Sequence, residues 1–204
     1  MSVYKLKPWF VGRLAVITRR LADRGTAPNT VTVAGVVAAG LAAAALVAGA
    51  VVHPAWWAAV PLFGVARLAA NAIDGSLARS TGRSSARGEV LNEVGDRVGD
   101  ALMLAALAPV VGWALAGWAV ASAFLVAFTG VLAQGVTGVR SSSGPMGKAD
   151  RVMLLSVAAP AAIFDDRALT LASVLVIAGA VGTVVRRVVT MWRQAQPADA
   201  GLAE

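Results

Sequence analysis

The chain has no cysteine and a single histidine in 204 residues. Disulfides are therefore excluded, and a zinc or copper centre built on thiolate and imidazole lacks its ligands. The missing cysteines carry no further information about compartment. Charged residues are also scarce, at 14%, and no internal repeat, low-complexity stretch or second domain is present. What fills the chain instead is apolar: 58% hydrophobic residues and a mean hydropathy of +0.72. That is too apolar for an ordinary soluble domain and reads as one all-α integral membrane domain.

Six stretches approach the ~20 residues that a bilayer crossing needs. They are residues 31–52, 54–78, 89–113, 116–138, 150–164 and 168–190, the fifth being short and holding Pro160. Basic residues orient them. Lys5, Lys7, Arg13, Arg19, Arg20 and Arg24 precede the first stretch, and Arg79, Arg83 and Arg87 sit between the second and third. Arg140 and Lys148 lie between the fourth and fifth with Arg151 at the start of the fifth, and Arg186 and Arg187 lie at the end of the sixth with Arg193 following it. The alternate loops hold only His53 and Arg167, so the basic side is expected to be cytoplasmic, with both termini on it.

The net charge of +7 follows this topology and forms no aromatic-interleaved groove, which argues for anionic lipid headgroups and against nucleic acid. Residues 1–30 lack the apolar core of a signal peptide. Phe10, Leu14, Ile17 and Leu21 share one helical face flanked by Arg13, Arg20 and Arg24, as expected of an amphipathic helix lying in the cytoplasmic interface. The membrane domain is then 31–193, and 194–204 is expected to be a disordered tail. Trp56, Trp57, Trp113, Trp118 and Trp192 lie near span ends and read as interface anchors. Abundant Gly and Ala suggest close helix packing.

Chemistry concentrates between Asn71 and Asp100. Arg67, Asn71, Asp74 and Ala78 recur at helical spacing and share a face. On the next helix Glu89, Glu93, Asp96 and Asp100 do the same, with Asn92 one turn before Asp96. Ionisable groups in apolar segments usually face a bundle interior or a polar cavity. Hard oxygen donors of this kind suit Mg²⁺, Mn²⁺ or Ca²⁺. Arg67 is expected to form a salt bridge across the bundle. Gly144-Pro-Met-Gly147-Lys148 lacks the glycine spacing and the following hydroxyl of a phosphate-binding P-loop.

Asp74-Gly75-x-x-Ala78-Arg79, eight residues, Gly88, three residues, Asn92, three residues and Asp96 resembles the signature of the CDP-alcohol phosphatidyltransferases, D-x-x-D-G-x-x-A-R-x8-G-x3-D-x3-D. Asparagine stands at the first and third aspartate positions, Asn71 and Asn92. Pro28-Asn29-x-x-Thr32 also resembles the start of the family's first helix, although Pro-Asn before a helix is ordinary punctuation.

The resemblance implies a six-helix membrane enzyme that moves a substituted phosphate from a CDP-alcohol lipid to a small alcohol and releases CMP. It also implies a homodimer and a Mg²⁺ or Mn²⁺ cofactor. Carried over by position, Asn71, Asp74 and Asn92 hold metal, and Asp96 is the catalytic base that also touches metal. Asp74, Gly75, Ala78, Arg79 and Gly88 receive the CDP donor. Lys148 and Arg151 are candidates for phosphate or acceptor binding, with topology-setting charge as the alternative. The two asparagines remove two formal negative charges, and Glu89, Glu93 and Asp100, all within about 60° of Asp96 around the helix, are available to compensate. The competing readings are a catalytically silent membrane partner and a small transporter. Neither the acceptor nor the donor lipid is specified by sequence.

Overall fold

The structure, a computed structural model, describes residues 7–195. The described residues form eight α-helices and a 3-10 helix: α1 (Lys7–Asp23), α2 (Pro28–Val51), the 3-10 helix (Pro54–Ala59), α3 (Val60–Ser80), α4 (Ala86–Ala105), α5 (Ala108–Val111), α6 (Trp113–Thr137), α7 (Lys148–Ala162) and α8 (Arg167–Ala195). The side chains of Trp9, Phe10 and Arg13, the residue Lys5, and the tail from 196 onward lie outside the described residues.

Local chemistry sets several boundaries. Pro28 opens α2, where its missing N–H costs no hydrogen bond. Ser85 caps α4 by accepting from the Gly88 N–H, and Glu89 adds negative charge to the first turn. The His53 ring caps the 3-10 helix by accepting from the Ala55 N–H. The third expected stretch, 89–113, is not one helix. α4 stops at Ala105, the four-residue α5 follows, and Gly112 turns the chain at φ 84° into α6.

α2 packs on α3 and α4, α6 on α8, and α7 on α3 and α8, while α1 lies against α3. Small residues bring these axes together. Ala39 and Ala42 are fully buried, and a Cβ on Gly35 would sit 3.2 Å from both Ala70 and Asn71. Leu46, Val60, Met103, Leu104, Leu107, Leu155, Leu169 and Val176 fill the centre.

The outside is apolar as well. Val33, Val37 and Leu41 on α2, Phe124, Phe128 and Val131 on α6, and Leu171, Val174, Val181 and Val185 on α8 are exposed at helical intervals. A surface of this kind suits lipid and not water. Four helical stretches are long and apolar enough to cross a membrane: Pro28–Val51, Pro54–Ser80, Trp113–Thr137 and Arg167–Gln194. α4 has the length but is rich in charge, and α7, with 15 residues, is about 22 Å long at ~1.5 Å per residue.

Two sequence expectations change in detail. Leu14 and Leu21 of α1 pack against Val31, Ile73 and Leu77, so this face of the helix is satisfied by protein, while Val16 and Ile17 stay exposed. Trp57 is not an interface anchor. It is 4% exposed and donates its indole N–H to the Leu46 carbonyl at 3.0 Å. Gly49 makes the room, since a Cβ there would fall 2.1 Å from the ring. Trp56, Trp113, Trp118 and Trp192 remain exposed.

Candidate active site

A polar cavity of about 240 Å³ opens where the start of α2, the end of α3 and the start of α4 meet. Pro28, Asn29 and Thr32 come from α2, and Asp74, Gly75, Ala78 and Arg79 from α3. Arg83, Ser84 and Ser85 come from the connecting loop, and Gly88, Glu89 and Asn92 from α4. Arg83 ties that loop back by donating to the Gly25 carbonyl at 3.0 Å.

Asp74 is buried and held from two sides. Thr32 donates its hydroxyl to one carboxylate oxygen at 2.9 Å, and the Gly75 N–H donates to the other at 2.6 Å. Both are donors to an anion, the stronger class of hydrogen bond. Across the cavity the Oδ1 atom of Asn92 is buried and has no hydrogen-bond partner among the described residues. Arg79 folds over Gly75, where a Cβ would meet its Nη1 at 3.3 Å. Gly88 sits against Asn29 in the same way, at 3.3 Å from its Oδ1.

One turn further into the bundle, Asn71 and Asp96 face each other. The Asn71 amide donates to Asp96 Oδ1 at 3.3 Å, and the Lys148 ammonium grips both Asp96 oxygens at 2.7 and 2.6 Å. Lys148 begins α7, whose first turn is fixed by the Gly147 N–H donating to Asp150 at 2.8 Å. The loop before it is pinned from α8: Arg187 donates to the Ser143 and Val126 carbonyls, and Thr183 accepts from the Met146 N–H. At the rim, Glu93 pairs with Arg140 at 2.5 Å and with Arg97 at 3.7 Å.

Another turn deeper, Asp100 joins Arg67 of α3 at 2.8 Å and Arg151 of α7 at 2.5 Å, all three buried. Arg67 also donates to the Asp96 backbone carbonyl and lies against the Met103 sulfur. Gly99 permits this, because a Cβ would be 2.8 Å from the guanidinium. The salt bridge expected of Arg67 is thus present. Arg151, considered for phosphate, spends its guanidinium on Asp100 and the Met146 carbonyl.

The acids available to compensate for the asparagines are committed unequally. Asp100 is neutralised by two arginines and Glu93 by rim cations, which leaves Glu89 as the additional acid lining the cavity. Among the described residues no three carboxylate or imidazole groups converge in a metal-binding cluster. The oxygen donors that line the cavity, among them Asp74, Glu89 and the unpartnered Asn92 carbonyl, are of the kind that fits a hard divalent cation. Sequence reasoning gave little weight to Thr32 and did not foresee that Lys148 reaches Asp96. The threonine had a faint signal in the Pro28-Asn29-x-x-Thr32 spacing. The lysine had none, since 52 residues separate the pair.

Comparison with known proteins gives the fold and the family. Solved structures of Mycobacterium tuberculosis phosphatidylinositol phosphate synthase share the fold. The form with CDP-DAG bound superposes with a TM-score of 0.69 at 22% identity, covering 86% of this chain and 92% of that one. The form with manganese and citrate gives 0.65 at 23%, covering 86% and 87%. The Escherichia coli inner membrane protein YnbA is 33% identical over 159 residues, 77% of this chain and 78% of that protein. The CDP-alcohol phosphatidyltransferase profile matches residues 25–194, and the chain belongs to that family.

Proposed function

We propose that the protein transfers a substituted phosphate group, a phosphatidyl group in the favoured case, from a CDP-alcohol such as CDP-diacylglycerol to an acceptor alcohol, releasing CMP in phospholipid synthesis. The observation that carries this reading is the joining of Asp74, Gly75, Ala78, Arg79, Gly88 and Asn92 around one cavity, with Asp96 one turn from Asn92 on α4. Family membership and the fold shared with a synthase bound to CDP-DAG support it.

Asp74 with the Asn92 amide oxygen would hold Mg²⁺ or Mn²⁺, while Asn71, expected as a further ligand, turns its amide N–H to Asp96 one turn further in. The ion's contribution is neutralisation of diphosphate charge as CMP leaves. The Asp74 carboxylate is already oriented for it by Thr32 and Gly75. Gly75 lets the donor approach the α3 backbone closely. Arg79 and Arg83, both lining the cavity, supply fixed positive charge for diphosphate oxygens. Asp96 takes the proton of the acceptor hydroxyl, held in place by Asn71 and Lys148.

All six long helical segments, α2–α4 and α6–α8, cross the bilayer in this reading, with α1 in the cytoplasmic interface and the cavity facing the cytoplasm. Basic residues at that end and the named inner-membrane relative support placement in a bacterial cytoplasmic membrane. A homodimer through membrane helices accompanies the reading. The deciding experiment incubates purified protein with CDP-diacylglycerol, Mg²⁺ or Mn²⁺ and a panel of alcohols. CMP and a new lipid are the expected products, and their absence with every alcohol overturns the proposal. A second reading, a silent family member that acts as a membrane partner, draws on the Asp96–Lys148 ion pair and the two asparagines. It predicts no CMP release and no binding of a CDP-alcohol.

A further inference from the structure

The cation-binding capacity of the site is set by three side chains together. Asn71 and Asn92 are neutral, and Lys148 brings a positive charge onto Asp96. The ammonium lies nearly equidistant from the two Asp96 oxygens, at 2.6 and 2.7 Å, in the manner of a cation on a bidentate carboxylate. Asn71 turns an N–H, not an oxygen, toward the same carboxylate. Asp96 therefore already has its counter-charge. On the cavity side the opposite holds: Asp74 receives only neutral donors, and the Asn92 oxygen is unpartnered among the described residues.

We propose that the Lys148 ammonium takes the place that a divalent cation would otherwise occupy on Asp96, so that this site takes one metal ion, at Asp74 and Asn92, with the lysine as a built-in cation on Asp96. The inference rests on the transfer reading only for the location of that metal ion. Lys148 is suited to the task because its backbone is anchored. Gly147 and Asp150 fix the first turn of α7, and Arg151 locks the next turn to Asp100. A divalent ion placed against Asp96 would meet this ammonium at close range and be repelled by it. Lys148 is in this sense a positioning residue. It keeps Asp96 aimed with no metal bound to that carboxylate, and the acceptor hydroxyl meets a base oriented by an ammonium.

The test is Mn²⁺ titration of the purified protein without substrate, with free ion followed by electron paramagnetic resonance. The wild type should bind one Mn²⁺ per chain. Lys148→Met should gain a second ion or bind the first about tenfold more tightly, the scale of one like-charge contact removed near a protein surface. The double variant Asp96→Asn/Lys148→Met, which removes a neutral pair, should keep one ion at close to wild-type affinity, and it serves if the single variant does not fold. Two ions in the wild type, none in any of the proteins, or an unchanged affinity in folded Lys148→Met would overturn the proposal. A chain that binds one Mn²⁺ and releases no CMP overturns the transfer reading and leaves the cation inference in place.

Discussion

Asp96 and Asp100 stand one turn apart on the same face of α4, and their surroundings differ in kind. Asp96 lies one turn from the cavity-lining Asn92, meets Lys148 at 2.6 Å and Arg97 at 3.9 Å, and accepts one weak amide bond from Asn71. Asp100 lies deeper, between Arg67 and Arg151, with both of its oxygens engaged by buried guanidiniums. One carboxylate keeps 11% of its side chain exposed, and the other, at 3%, is enclosed by helices on both sides. A buried ion pair is costly to assemble and costlier to break, since either partner left alone is an uncompensated charge. The contrast shows how a single helix face can carry chemistry and architecture a turn apart, with the division made by which cations the neighbouring helices deliver.

The largest effect that separates the two aspartates is expected from chelation. Excess EDTA should abolish CMP release while leaving the thermal unfolding midpoint within a degree or two, on the order of a few tenths of a kcal/mol, because the Asp100 cluster is held by arginines and needs no metal. Turnover that persists in EDTA would remove metal from the mechanism.

Next in size is Asp96→Asn, for which general-base loss predicts a fall in transfer of about 10² to 10⁴. Donor binding should be largely retained, whereas Asp74→Asn should weaken metal and CDP-donor binding. Equal loss of donor affinity in both variants would make Asp96 chiefly a metal ligand.

The interior aspartate should fail differently. Asp100→Asn leaves two buried arginines without an anion and should cost about 3–5 kcal/mol of stability. Replacing the whole set by Arg67→Met, Asp100→Leu and Arg151→Met should recover most of that loss in chemical denaturation. If Asp100→Asn unfolds like the wild type, the deep cluster is not the structural element described here. The smallest effect is reserved for the cavity wall: Thr32→Val removes one hydrogen bond to a carboxylate, worth about 1.5–3 kcal/mol. It should appear as weaker Mn²⁺ and donor binding with little change in the pH dependence of transfer.

How far the sequence revealed this arrangement depended on distance along the chain. Within a helix, spacing alone put Asn71 beside Asp74 and Asp96 beside Asp100, because 3.6 residues per turn is a local rule. The need for a counter-ion at Arg67 was legible for the same kind of reason, a charge in an apolar helix. Its identity was not, and neither were the partnerships of Lys148 and Arg151, which depend on how α7 docks across 51 or 52 residues of intervening chain. Charge counts suggested that Lys148 and Arg151 belong together, yet the structure sends one to Asp96 and the other to Asp100. The tryptophan pattern misled for a related reason. Trp57 occupies a span end as expected, but Gly49 opens a slot for its ring that composition does not reveal. The interruption of 89–113 did have a local signal, Pro109 followed by Gly112: the proline cannot continue α4 and opens the short α5, and the glycine makes the turn into α6.

The order in which the chain is made gives the paired aspartates a further significance. Once α3 and α4 have been made, Arg67 and Asp100 are both present and can neutralise one another before the rest of the bundle exists. Lys148 and Arg151 arrive only with α7, after α6 has been inserted. Until then Asp96 has only Arg97 of its own helix nearby, at 3.9 Å, so the last part of synthesis, not the first, completes its ion pair.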